Sequence, residues 1–333
     1  MTETTFEAMV VRETEDGRFQ RGIETRSVGD LPEGEVLIRV KYSSLNYKDA
    51  LSAVGNRGVT RKYPHTPGID AAGTVAESNH ADFSPGDRVL VTGYDLGMNT
   101  AGGFGGYIRV PAEWVIPIPE GLSSRESMAY GTAGLTAALS VFHLESRGIA
   151  EEGGEILVTG ASGGVGSLAV AFLARSGYTV TAASGKADAV DYLTDLGASR
   201  VVGREEIEGD PKRPILKARW AGVVDTVGGE ILATAVKSTR LHGSITCCGN
   251  VASGDLPLTV YPFILRGVSL LGIDSQNCPR KTRLTLWEKM AGPWRVTALD
   301  RITSDVTLSD LSPRIDDILD ARVRGRTVVR VGE

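Results

Sequence analysis

The 333-residue chain predicts an α/β protein, with a doubly wound parallel sheet joined to a second, β-rich domain. Three observations predict it. Residues 1–125 carry short apolar runs separated by turn residues, the pattern of compact strands. Residues 126–274 alternate strand-like and helix-like runs. One of those strands leads straight into a glycine-rich turn and then a helix, the context that a dinucleotide fingerprint requires.

In chain order, Val36–Val40, Ile69–Val75 and Asp87–Thr92 read as strands, the last entered from the turn Ser84-Pro85-Gly86. Trp114–Pro119 is extended, because each proline disfavours helix for the residue before it. Ser127–Phe142 is rich in Ala and Gly and apolar on most faces, so it reads as buried helix. Strands follow at Glu155–Thr159, Thr179–Ala183, Gly222–Asp225, Ser244–Cys248 and Val268–Ile273. Helices separate them at Val165–Ser176, Ala187–Leu196 and Glu230–Ser238. Such alternation implies βαβ units and a parallel sheet. Beyond residue 275 the chain turns helical and charged, then ends in a strand, Thr327–Val331, expected to rejoin the first domain.

Composition sets the boundaries. Hydrophobic residues at 41% and charged residues at 23% are those of an ordinary globular protein. The net charge of −5 is spread along the chain, which argues against a nucleic-acid partner, since that needs clustered Lys and Arg. The three cysteines, Cys247, Cys248 and Cys278, form no Cys-x-x-Cys pair and no disulfide framework. No signal-like start and no apolar run of about 18 residues is present. The expectation is a reducing, cytoplasmic location and no membrane partner.

The turn is Gly160-Ala161-Ser162-Gly163-Gly164-Val165-Gly166. Glycines let the backbone approach a pyrophosphate, and the following helix offers free N–H groups and a partial positive charge. Ser162, Gly163, Gly164 and Val165 are therefore the expected pyrophosphate contacts. An NAD site usually carries an acid about 20 residues further on, for the ribose 2′-hydroxyl. Here Ser184-Gly185-Lys186 ends the second strand, with no acid. Ser184 offers a hydrogen bond, Lys186 a charge, and Arg200 and Arg204 follow the next strand. Lys186 alone reads equally well as a solvated lysine at a helix start. The whole set suits a 2′-phosphate, so NADPH is the expected cofactor. Asp225–Gly229 and Cys248-Gly249-Asn250 end later strands on the same sheet edge, and the backbone near Asn250 is expected beside the nicotinamide ribose.

Several strings carry a family resemblance: Ser44-Leu45-Asn46-Tyr47-Lys48-Asp49, Pro67–Val75, the 160–166 turn, Pro262–Val268 and Gly272-Ile273-Asp274-Ser275. Together they make the chain resemble the medium-chain dehydrogenase/reductase superfamily. The likeness is to its quinone-oxidoreductase-like subgroup, which includes NADPH-dependent acryloyl-CoA reductases. The resemblance covers essentially the whole chain. It implies a GroES-like substrate domain over residues 1–125 and 275–333 and a Rossmann domain over 126–274, with the active site in the cleft between them. Zinc-dependent members carry a cysteine near positions 46–49 and a His-Glu pair near 68–70; this chain has Asn46-Tyr47-Lys48 and Gly68-Ile69-Asp70. His65, His80, His143 and His242 are scattered, so no metal site is expected.

The resemblance implies NADPH-dependent reduction of an activated C=C bond, acryloyl-CoA to propionyl-CoA. Reduction of quinones or enones is the alternative, and a non-catalytic NADPH-binding sensor is a reading of another class. The resemblance places Tyr47 beside the nicotinamide, where its phenol can hold cofactor, orient substrate or relay a proton. Asn46 is a second catalytic candidate, Asp49 reads as a local cap, and Asp70 as a brace of the first domain. Ile264, Ser275 and Arg322 match positions that contact NADP. Arg280, Lys281 and Arg283 would suit the phosphates of CoA, although a charged loop face is the simpler reading. The resemblance implies a homodimer or higher homo-oligomer, with edge-to-edge pairing through the strand near Val268–Ile273 as one way to build it.

Overall fold

The computed structural model describes residues 4–149 and 153–332. The chain divides into two compact units. The first comprises Met1–Thr132, Gln276–Trp287 and Ile302–Glu333; the second comprises Ala133–Ser275 and Glu288–Arg301. Residues 288–301, expected with the rest of the 275–333 segment in the first domain, group instead with the second unit.

The first unit opens on a hairpin of β1 (Thr5–Glu13) and β2 (Phe19–Ser27), paired antiparallel. Its larger sheet is built on β3 (Val36–Leu45), which the helix α1 (Tyr47–Ala53) follows at once. The strands β4 (Asp70–Ser78), β5 (Arg88–Thr92), β6 (Tyr107–Val110) and β7 (Ile116–Pro117) complete the N-terminal part. β3 pairs antiparallel with both β4 and β6. Val36, Ile38 and Val40 alternate along β3 and face a core with Val75, Val89, Val91 and Ile108.

The helix α2 (Ser124–Ser146) is broken at Gly131, where φ is 52° and ψ is −153°. A Cβ there would stand 2.5 Å from Asp70 Oδ2 and 2.7 Å from Ser44 Oγ, so only glycine fits both the backbone and the space. The chain passes into the second unit at Ala133, two residues later.

The second unit is a parallel sheet covered by helices. Its elements run β8 (Ile156–Val158), α3 (Gly164–Arg175), β9 (Val180–Ala183), α4 (Val190–Asp195), β10 (Arg200–Val202), β11 (Trp220–Asp225), α5 (Gly229–Lys237), β12 (Thr239–Cys247), α6 (Tyr261–Arg266) and β13 (Ser269–Gly272). The strand order is β10-β9-β8-β11-β12-β13, so the winding reverses between β8 and β11. β11 is buried along its whole length, as expected of a strand covered on both faces.

The chain then continues through α7 (Arg280–Ala291), α8 (Leu299–Ile302), β14 (Thr303–Thr307), α9 (Leu311–Leu319) and β15 (Arg326–Arg330). β15 lies antiparallel to β3 and parallel to β14, so the last strand rejoins the first sheet as its sequence position predicted. Arg280, Lys281 and Arg283 lie on a helix, not a loop, and Arg283 is fully buried. Its Nη1 donates to Thr92 O at 2.6 Å and to Thr92 Oγ1 at 2.8 Å. The expected basic surface group thus loses Arg283 to the interior. Among the described residues, no helix is long and apolar enough to cross a membrane.

Candidate active site

The winding reverses between β8 and β11, the place where ligands sit in open α/β sheets, and the carboxyl ends of these two strands are stitched together. Thr159 Oγ1 donates to Asp225 Oδ1 at 2.7 Å, and Thr226 Oγ1 donates to Thr159 O at 2.9 Å. Asp225 Oδ2 also accepts from Gly228 N at 2.9 Å. Burial, partly offset by these donors, raises the Asp225 pKa.

Out of this junction the 160–166 turn leads into α3. Gly163 is the N-cap residue, and Gly164 and Val165 open the helix half-exposed, so their N–H groups have no partner within it. A side chain at Gly166 would collide with Gly160 O and Ala161 Cα, so close packing of helix on turn demands glycine there. Ser162, buried, meets the Ser184 hydroxyl at 3.0 Å. Ser184 Oγ in turn accepts from Lys186 N at 3.1 Å. This folds the Ser184-Gly185-Lys186 corner onto the glycine turn.

Arg204 completes the corner. A Cβ on Gly185 would lie 2.6 Å from Arg204 Nε and 3.0 Å from its Nη2, so the guanidinium rests over Gly185. Arg204 is exposed, and among the described residues its side chain makes no hydrogen bond or ion pair. Arg200, named with it from the sequence, is diverted to Glu206 at 2.9 Å. Asn250 is exposed just past β12, where its Cα approaches Gly228. Ser275 Oγ accepts from Thr136 Oγ1 at 2.7 Å. Ile264 is 67% exposed on α6. Cys247 and Cys248 stand at the end of β12, where burial foremost and then Asp225 push both thiols up, away from the reactive thiolate.

In the first unit, Tyr47 begins α1 and is 38% exposed, with no hydrogen bond to its hydroxyl among the described residues. It is not a core tyrosine with a satisfied hydroxyl. Asn46 is the opposite. Its Nδ2 donates to Asp70 Oδ2 at 2.8 Å, and its Oδ1 accepts from Arg326 Nη1 at 3.1 Å. Both ends of the amide are thus engaged by the Asp70 carboxylate and the Arg326 guanidinium.

Asp70 is the hub. It accepts from Ser44 Oγ at 2.6 Å, from Thr132 N at 2.9 Å and from Thr132 Oγ1 at 2.6 Å, and lies 3.9 Å from Arg326 Nη2. Asp49 caps Asn46 N and Ile69 N, both at 2.8 Å. Burial first, and the neighbouring Asp70 second, push the Asp49 carboxyl up to about 7. Arg326 is the member that motif reading missed, because it stands among the charges of Arg324-Gly325-Arg326 with nothing to mark it as buried. Arg322 pairs with Asp317 at 3.0 Å and with Asp320, so its charge is spent at the end of α9.

Among the described residues, no group of three or more His, Cys, Asp or Glu side chains is placed to hold a metal ion. His65 is buried with Nε2 2.9 Å from Gly97 O, and its pKa is lowered by burial.

Two family models match the chain: the alcohol dehydrogenase GroES-like domain over residues 32–120 and the zinc-binding dehydrogenase domain over 164–291. The donor set above does not fit the metal in the second description. Acrylyl-CoA reductase AcuI of Ruegeria pomeroyi (strain ATCC 700808 / DSM 15171 / DSS-3) is 46% identical over 327 residues, 98% of this chain and 99% of that protein. YhfP of Bacillus subtilis (strain 168), whose name assigns it to the quinone oxidoreductases, is 46% identical over 313 residues, 93% of this chain and 94% of its own length. A crystal structure of YhfP with NAD bound has a TM-score of 0.95 at 44% identity, covering 98% of this chain and 99% of that one. The yhdH oxidoreductase of Salmonella enterica, in complex with NADP, has a TM-score of 0.95 at 41% identity, covering 98% of this chain and 100% of that one. This chain therefore belongs to the medium-chain dehydrogenase/reductase superfamily, in the branch that holds YhfP and AcuI.

Proposed function

We propose that the protein is an NADPH-dependent reductase of activated C=C bonds, acting on acryloyl-CoA to give propionyl-CoA. The observation that carries this reading is the 46% identity to AcuI across 98% of the chain. Bound NADPH supplies the hydride; the protein supplies binding, orientation and charge. The free N–H groups at the start of α3 and the Ser162 hydroxyl suit the pyrophosphate. Ser184, Lys186 and Arg204 suit the 2′-phosphate, and Asn250, Ile264 and Ser275 suit the nicotinamide half. Tyr47, with an open phenol, is the group we assign to orient substrate or hand on a proton.

NADPH oxidation measured side by side with acryloyl-CoA, free acrylate and a benzoquinone tests the reading. Turnover of the CoA ester is expected; rapid turnover of the quinone alone would replace it with the quinone reductase reading, which the equal likeness to YhfP favours. Tight NADPH binding with no turnover would favour a sensor. In the same assay Tyr47→Phe should lower kcat by about 10-fold or more, toward the 10²–10⁴-fold contribution of a placed proton donor. An unchanged kcat removes the hydroxyl from proton transfer.

We also propose a homodimer. β13 is the edge of its sheet, and Val260, Ile264 and Leu265 beside it are 63%, 67% and 60% exposed. An open edge next to exposed apolar side chains invites a second copy. Sedimentation should give twice the chain mass; a monomer at micromolar concentration discards the proposal.

A further inference from the structure

We propose that Asp225 is the positioning residue of the coenzyme site, and that the coenzyme binds tightly only while this buried carboxylate is ionised. This rests on the reading that the coenzyme lies at the carboxyl ends of β8, β11 and β12, where ligands sit in open α/β sheets.

Three strand ends meet at this one residue. From the end of β8, Thr159 Oγ1 donates to Oδ1 at 2.7 Å, and Gly160 next to it opens the glycine turn. Past the end of β11, Gly228 N donates to Oδ2 at 2.9 Å and Val227 N at 3.3 Å. From the end of β12, Cys248 N donates to the Asp225 carbonyl at 3.0 Å. Val227 O then accepts from Ala252 N at 2.9 Å, and Gly228 bridges to Ser253. The stretches so joined, 160–166, 225–229 and 248–250, are those expected at the coenzyme.

The junction has little slack. A Cβ on Gly160 would stand 2.3 Å from Thr226 Oγ1, and one on Gly249 2.0 Å from Thr226 O. Gly228 and Gly229 hold φ of 78° and 60°, values that favour glycine. This backbone aims two successive N–H groups at one oxygen, a nest of the kind that collects anions. Here the anion is the protein's own carboxylate.

Asp225 is fully buried, and among the described residues it makes no ion pair. Burial raises its pKa above the ordinary 3.8, while Thr159 Oγ1 and the N–H groups of Gly228 and Val227 pull the other way. The titratable groups facing it are Cys247 and Cys248 at the end of β12. Burial first and Asp225 second push both thiols up, so they stay neutral in acid. Glu230, in the first turn of α5, is exposed. A proton on Oδ1 meets the Thr159 hydroxyl, which already accepts from Thr226 N at 3.1 Å. A proton on Oδ2 meets the N–H groups of Gly228 and Val227. Either one detaches a strand end, so proton and coenzyme compete, and by linkage the coenzyme expels the proton.

Calorimetry with the oxidised coenzymes NADP⁺ and NAD⁺, which survive acid, tests this across about pH 5–8. NAD⁺ lacks the 2′-phosphate, whose own ionisation at about pH 6 would add to the profile. The Kd of both coenzymes should rise as pH falls, toward about 10-fold per pH unit below the Asp225 titration. Buffers of differing ionisation heat should show a proton released as NAD⁺ binds. Asp225→Asn fixes the uncharged form. At about pH 8 it should raise both Kd values about 10-fold or more. It should also bind NAD⁺ without proton release and with a flat profile. Thr159→Val removes a donor and should move the profile to higher pH. A pH dependence confined to NADP⁺ would overturn the proposal and assign the effect to the phosphate. Equal proton release from Asp225→Asn, or a wild-type Kd in that variant, would also overturn it. So would the absence of proton release from the wild type, an arm that needs no variant to fold. A wild-type protein that binds neither coenzyme would instead fail the reading of the site.

Discussion

Arg326→Leu lowers the free energy of unfolding by about 3–5 kcal/mol, the usual cost of removing one partner from a buried charge pair. Arg326 is 3% exposed and Asp70 is fully buried, so neither charge reaches water when the other is gone. The guanidinium also binds Ala129 O at 3.1 Å, Ser44 Oγ at 2.8 Å and Asn46 Oδ1 at 3.1 Å, all of which lose a donor. The loss should grow with pH. Asp49 titrates near 7 in the folded protein against an ordinary 3.8, so the folded state holds the extra proton between those values. Its contribution is complete below 3.8 and is lost as pH rises toward 7. Without Arg326 no buried cation faces the Asp49–Asp70 pair, so the loss should be largest where Asp49 is deprotonated. Urea unfolding midpoints across this range check the prediction. A midpoint as high as that of wild type at neutral pH would show that the network does not bear on stability. Arg322→Leu is the contrast: that ion pair is exposed, and such pairs contribute little.

Arg204→Glu, alone or with Lys186→Glu, should turn the protein from NADPH toward NADH. A hydrogen bond to a charged group contributes about 1.5–3 kcal/mol, so each loss should cut kcat/KM for NADPH about 10- to 100-fold. NADH lacks the 2′-phosphate and should be used nearly as before. Arg200→Ala should do little, since Arg200 is already paired with Glu206. The experiment has force because the structural relatives include one with NAD bound and one with NADP. Equal losses for both coenzymes would mean that the corner supports the turn and does not read the phosphate.

Local signals carried the second unit. β8, the glycine turn and α3 are consecutive, so periodicity and turn chemistry place them without long-range information. The corner at Ser184 was readable for the same reason, although only packing could separate Arg204, over Gly185, from Arg200. The first unit was harder. The β1–β2 hairpin escaped because β2 is half-exposed and charged, Phe19-Gln20-Arg21-Gly22-Ile23-Glu24-Thr25-Arg26-Ser27. Its Asp16-Gly17 turn, with φ of 75° at Gly17, was the available clue. Burial of arginine was not readable at all. Arg283, Arg322 and Arg326 look alike in sequence, yet the first sits under a tyrosine ring, the second pairs at the surface and the third lies in the core. Arg322 has its partners within five positions, whereas Arg283 and Arg326 are held by Thr92 and Asp70, far away in the chain.

The return of β15 to β3 also has a consequence during synthesis. The polypeptide is made from its N-terminus, and the second unit is complete once Arg301 has emerged. The first unit begins earlier but waits for Arg326, which follows its Asp70 by 256 positions. At about 5–20 residues per second that delay is roughly 10–50 s. Throughout it, Asp70 has no guanidinium and β3 offers an unpaired edge to any neighbouring nascent strand. The unit that is started first on the ribosome is therefore the one finished last.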